Sequence, residues 1–136
     1  MNFEEKCKFL EERIRRLNEI GIALSTEKDT NKLFELILEE AKNITNADGR
    51  TLYMVDDKGN LKFEIMRNDS MKTIMGGTSG VDIPFAPVPK YFGDGEPNLN
   101  NVCAYAAITG ETINIEDAYE EKGYDFSGAK AYDKSS

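Results

Sequence analysis

The residue types that could do chemistry are few, and their spacing narrows them further. The chain has 136 residues and no histidine. That removes Ser-His-Asp and Cys-His catalysis, histidine metal sites and a phospho-accepting histidine. Two cysteines, Cys7 and Cys103, lie far apart and fall short of the four ligands of a structural zinc site. Carboxylate pairs could move protons, but among 25 acidic residues close pairs arise by chance. Gly76-Gly77-Thr78-Ser79-Gly80 is glycine-rich without being a phosphate loop, because the Lys-Ser/Thr pair is missing and no helical pattern follows. Asp56-Asp57-Lys58-Gly59-Asn60 lacks the spaced ligands and closing Glu of a calcium loop and reads as a hairpin turn. What is left is the stretch from Asn100 to Asp133. It reads as an apolar helix, a glycine stop, a brief strand, an acidic turn at Asp117 and a loop crowded with Tyr119, Tyr124, Phe126 and Tyr132. Such a stretch can roof a pocket, and aromatic residues there either pack a core or line a ligand cavity.

Composition bounds the partners. A net charge of −8 is a poor match for phosphate backbones, so nucleic acid is not expected. No run of about 18 apolar residues is present, so no membrane span is expected. The first residues do not read as a secretory leader. Both cysteines are therefore read as reduced thiols in a cytoplasmic protein, with Cys103 a buried structural thiol.

The elements that must position these residues follow from periodicity. Phe3, Cys7, Leu10, Ile14, Leu17, Gly21 and Leu24 alternate steps of four and three, a heptad seam on a helix over about 2–24. Glu11–Arg15 and Glu12–Arg16 are spaced for i,i+4 pairs on its wet face. The seam predicts a homodimer through Phe3, Cys7, Leu10, Ile14 and Leu17; the simpler alternative is an amphipathic helix packed on its own domain. A polar connector follows. Asp29 or Thr30 can then cap a second helix, about 31–45, whose Leu33, Phe34, Ile37, Leu38, Ala41 and Ile44 form a wide stripe suited to lying on a sheet. A hairpin of about 50–67 comes next, with Leu61, Phe63 and Ile65 on its buried face. Residues 68–101 read as irregular, with a short strand at 81–85 ended by Pro84, Pro87 and Pro89. Asn100 or Asn101 caps a helix over 102–109 that Gly110 ends, and 112–115 reads as a strand.

These residues in this order resemble the GAF domain, a small-molecule sensor module of signalling proteins, from about Leu17 onward. The resemblance is strongest over Gly110-Glu111-Thr112-Ile113-Asn114-Ile115-Glu116-Asp117-Ala118-Tyr119 with Phe126-Ser127-Gly128 and Tyr132-Asp133. It is supported by Asn46-Ala47-Asp48, the hairpin, and Asn101-Val102-Cys103-Ala104-Tyr105-Ala106-Ala107. It implies an α+β fold of α/β sandwich type. A central antiparallel sheet would carry the N-terminal helices on one face and a ligand pocket with short helices and loops on the other. Residues 1–24 would be a signalling helix and 25–136 the sensor domain.

The pocket candidates are Ile83, Phe85, Val102, Cys103, Tyr105, Asn114, Asp117, Tyr124 and Phe126. Their ligand is an unidentified small molecule or nucleotide. Metal, haem and bilin are not expected, the last because bilin-binding relatives use a nearby histidine. In the cyclic-nucleotide-binding members a Lys and an Asp close the lid as an ion pair. Asn114, Tyr124 or Phe126, and Asp133 match that signature, but Glu116 stands at the Lys position, and this reversal counts against cyclic nucleotides. Methionine sulfoxide-reducing relatives need grouped thiols, and Cys103 is alone in the pocket region, so an enzyme is not expected. Further strands follow the position of Asp133 in the family, whereas this sequence ends at Ser136; the expectation is a sensor domain lacking its last strands.

Overall fold

The structure is a computed structural model that describes residues 1–120 and 123–126. Its elements are helix α1 (Phe3–Thr26), helix α2 (Thr30–Thr45), strands β1 (Gly49–Val55), β2 (Leu61–Asn68) and β3 (Thr73–Gly76), a 3-10 turn (Gly77–Ser79) and helix α3 (Val102–Thr109). The fold class is α+β, with a three-stranded antiparallel sheet in the order β1-β2-β3. The chain divides into two units: Met1–Leu52 with Ile65–Asp82, and Tyr53–Glu64 with the described part of Ile83–Ser136. Strands β1 and β2 run from one into the other. Among the described residues no helix is long and apolar enough to cross a membrane.

In the first unit α1 opens on a capping box. Asn2 Oδ1 accepts from the Glu5 N–H at 2.9 Å and Glu5 Oε2 accepts from the Asn2 N–H at 3.2 Å, so two orphan donors are satisfied together. The helix runs two residues past the expected Leu24. Ser25 and Thr26 donate their hydroxyls back to Gly21 O and Ile22 O, which lets polar residues close the last turn. The expected Glu11–Arg15 and Glu12–Arg16 pairs do not form. Arg15 reaches Glu12 at 2.6 Å and Glu19 at 3.8 Å, and Arg16 reaches Glu19 at 3.5 Å and Glu40 on α2 at 2.5 Å. Asp29 caps α2 by accepting from the Lys32 N–H, and Asn46 ends it in the left-handed region at φ 56°. The expected wide stripe on α2 is narrower: Leu38 is buried and Leu33 and Phe34 are half-buried, while Ile37, Ala41 and Ile44 are exposed.

Strand β3 is a correction, because the sequence places no strand in 68–101 other than 81–85. Asn68 pairs with Thr73 and Ile65 with Gly76 across a turn that side chains build. Asn68 Oδ1 accepts from the Met71 N–H, and the Asp48 carboxylate accepts from both the N–H and the hydroxyl of Ser70. Lys72 takes φ 55° where a glycine would have announced the turn. Arg50, 10% exposed at its side chain, ties the same corner to α2. It pairs with Asp69 at 3.1 Å and Glu39 at 3.3 Å, and Lys42 reaches Asp69 at 2.6 Å.

The glycine-rich loop is held by one carboxylate. Glu35 on α2 pairs with Arg67 on β2 and accepts from the Thr78 N–H at 3.1 Å and the Thr78 hydroxyl at 3.2 Å. Arg67 also donates to Met66 O at 2.8 Å and Met75 O at 2.6 Å. Gly77 sits at φ 59°, and a Cβ there would collide with Glu35 Oε1 and press on Ile65 Cδ1, so only glycine fits. Gly77 thus makes room for a protein carboxylate.

In the second unit the Asp56–Asn60 hairpin turn is as expected. Asp56 Oδ1 accepts from the Lys58 and Asn60 N–H groups, both at 2.9 Å, and Gly59 has φ 80°. Buried Leu61 exchanges two hydrogen bonds with Val88, each 2.8 Å. Buried Asn98 fastens the Pro-rich loop by donating its side-chain N–H to Pro89 O and its backbone N–H to Lys90 O. Helix α3 has the expected bounds, with Asn101 accepting from the Cys103 and Ala104 N–H groups and Gly110 in the left-handed region at φ 72°. Two expected strands, 81–85 and 112–115, are not strands. Ile113 and Ile115 are half-buried and alternate with exposed Thr112, Asn114 and Glu116. The alternation is therefore real, but among the described residues no neighbouring edge pairs with it, and alternation without a ladder is not a strand.

Glu35→Ala leaves the Arg67 guanidinium, 12% exposed at its side chain, without its counter-charge. A loss of about 2–4 kcal/mol is expected, read as a fall in the urea midpoint. Asp69 is held below the ordinary carboxylate range by hydrogen bonds from Lys42 and then Arg50, and Asp48 by Ser70. Lowered folded values give stability that is present above the unfolded value of about 3.9 and lost as pH falls through the folded ones. Asp69→Asn is expected to flatten the acid limb of a Tm-against-pH curve below about pH 4.

Candidate functional site

The second unit gathers the aromatic residues into two groups. In the first, Tyr53 on β1 meets Phe63 on β2 at a ring separation of 4.7 Å, and Phe63 meets Phe85 at 5.5 Å. Tyr53 and Phe63 face each other across the hairpin because each sits on the same pleat face of its strand. The Cys103 thiol of α3 lies beside the Tyr53 phenol. Burial pushes that phenol above its ordinary value, and the neighbouring thiol adds to the shift. In the second group Tyr105 on α3 meets Tyr124 edge-on at 5.6 Å, and Tyr124 meets Phe126 at 6.2 Å. The Asp125 N–H donates to Asn100 O at 2.7 Å, which brings the final loop back to the start of α3. The Glu111 carboxylate, 3.4 Å from the Tyr105 hydroxyl, raises that phenol's pKa.

Five of the nine expected pocket residues therefore fall in these groups: Phe85, Cys103, Tyr105, Tyr124 and Phe126. Ile83 and Val102 are half-buried in the same unit. Asn114 is exposed, and Asp117 spends its carboxylate on its own turn, accepting from the Tyr119 N–H at 3.0 Å. Glu116 is exposed, while Asp133, at the other position of the family's ion pair, and Tyr132 lie outside the described residues. Tyr53 and Phe63 were not among the expected site residues. Their signal was available, since Phe63 alternates with Lys62 and Glu64 on the inward face and Tyr53 lies opposite across the turn. Among the described residues no cluster of three or more Cys, Asp or Glu could hold a metal ion. The chemistry open to the ring groups is stacking and hydroxyl or thiol hydrogen bonding.

The expected seam lies in the first unit. Phe3 is 81% exposed, Leu10 49%, Ile14 59% and Leu17 58%, and Cys7 is half-buried. No residue of α1 is buried. Toward its C-terminal end, where Arg16 reaches α2, Ile20, Ala23 and Leu24 are half-buried.

The raised Tyr53 phenol gives stability that is full below the unfolded value of about 10 and lost as pH rises toward the folded one. Tyr53→Phe is expected to remove part of the fall in Tm above about pH 10; an unchanged alkaline limb would place the titration elsewhere. Against known proteins, no family model, no curated protein and no solved structure matches the chain.

Proposed function

We propose that the chain is a regulatory small-molecule-binding module of a cytoplasmic signalling protein, GAF-like in fold, dimeric through α1 and without enzymatic activity of its own. The observation that carries this reading is the gathering of Tyr53, Phe63, Phe85 and Cys103, and of Tyr105, Tyr124 and Phe126, in the unit that bears α3 and the final loop. Rings with hydroxyl and thiol handles suit a planar heteroaromatic ligand, which stacks on faces and hydrogen-bonds at edges. The ligand acts by population shift. It must favour one arrangement of the ring groups over another, and the difference in affinity sets how far the equilibrium moves. An output domain elsewhere in the parent protein would read the change through the α1 dimer.

A second reading is a dimerisation module whose ring groups are only core. The exposure of Leu10, Ile14 and Leu17 favours it independently of any ligand.

A calorimetric and thermal-shift screen of nucleotides and small heteroaromatic metabolites separates the two. The sensor reading expects a binder whose affinity falls about tenfold or more in Phe85→Ala or Tyr124→Ala. No binder across the panel leaves the dimerisation module. In both readings Leu10→Lys with Ile14→Lys dissociates the dimer in sedimentation equilibrium, and unchanged sedimentation rejects the seam.

A further inference from the structure

The seam of α1 has two edges of opposite charge. Counting heptads from the apolar stripe, the residues following Phe3 and Leu10 are Glu4 and Glu11, and those preceding Cys7 and Ile14 are Lys6 and Arg13. One edge of the exposed stripe is thus acidic and the other basic. Charges farther from the stripe are used within the chain, as in the Glu12, Arg15, Arg16, Glu19 and Glu40 pairs. Glu4, Lys6, Glu11 and Arg13 form no ion pair among the described residues. Arg13 instead stands 5.4 Å over the exposed Phe9 ring on the basic edge.

We propose that α1 pairs with α1 of a second copy of this chain in parallel and in register, its basic edge against the other's acidic edge. In a parallel pair each edge residue preceding a core position faces the residue five further along the partner's opposite edge. Lys6 then meets Glu11 of the second copy, twice by symmetry, while Arg13 faces the neutral Asn18. An antiparallel pair would set acidic edge on acidic edge and basic on basic, so Lys6 would face Arg13 and Glu4 would face Glu11. Like-charge juxtaposition is what selects against a wrong alignment. The pairing also explains the length of the free stripe. It runs from Phe3 to Leu17 and gives way at Ile20, where the edge position is apolar and half-buried. Up to that point the described residues leave the stripe exposed apart from half-buried Cys7, and an amphipathic helix gains most of its stability from the face it packs.

The inference rests on the dimeric part of the proposed function, and the test separates the two. Sedimentation equilibrium of the full chain is compared for wild type, Lys6→Glu, Glu11→Lys and the double exchange. Both substitutions are at exposed positions and leave folding intact. Parallel pairing expects each single variant to weaken dimerisation about tenfold and the double variant to return to within about threefold of wild type. Single variants that dimerise more tightly would overturn the proposal in favour of antiparallel pairing. Single variants that leave dimerisation unmoved, in a protein that Leu10→Lys with Ile14→Lys still dissociates, would reject the alignment while keeping the seam. A wild type that stays monomeric at all concentrations would remove both the alignment and the dimer, and leave the ligand screen on the ring groups untouched.

Discussion

The first unit depends on the charge of Glu35. Helix α2, strands β2 and β3 and the glycine-rich turn share little fully buried apolar surface. Their fully or nearly buried apolar residues are Leu38 and Ile65. What joins them is one carboxylate that faces Arg67 and takes two hydrogen bonds from Thr78. Arg67 in turn gathers the carbonyls of Met66 and Met75. A part-buried ion pair of this kind is costly to desolvate and is held in place only where its remaining donors and acceptors are met. Here they are met by backbone, and that requirement dictates the glycine at 77.

The same thinness of apolar burial explains why α1 looks unfinished. An amphipathic helix gains most of its stability from the face it packs. The N-terminal two-thirds of α1 has a regular apolar stripe that the described residues leave largely exposed. Its capping box and its solvent-exposed Glu12–Arg15–Glu19 ladder contribute less than packing the stripe would. A second copy of the same stripe is self-complementary in shape and, through its two edges, in charge.

The helices were the most legible part of the sequence, because their start and stop signals are local. Asn2, Asp29 and Asn101 accept from the first-turn N–H groups, and Asn46 and Gly110 take the left-handed conformation that ends a helix. The hairpin at Asp56–Asn60 was legible for the same reason. The strands after it were not. β3 is four residues long and its turn uses Lys72 rather than glycine, so neither length nor turn chemistry marks it. Residues 112–115 carry the alternation of a strand, but whether a strand forms depends on an edge that alternation does not specify. The candidate site was legible in part. The aromatic residues of the final loop stood out by density, whereas Tyr53 and Phe63 acquire their place only when the hairpin sets them opposite each other. Asp117 drew attention by its place after an apparent strand, and its carboxylate serves the backbone of its own turn.

The central claim is that the exposed stripe of α1 is covered by a second copy, and amide hydrogen exchange across Phe3–Leu17 tests it most directly. A dimer holding that stripe predicts slow exchange in α1 that becomes slower as protein concentration rises. Exchange that is fast along the whole stretch and independent of concentration would contradict it.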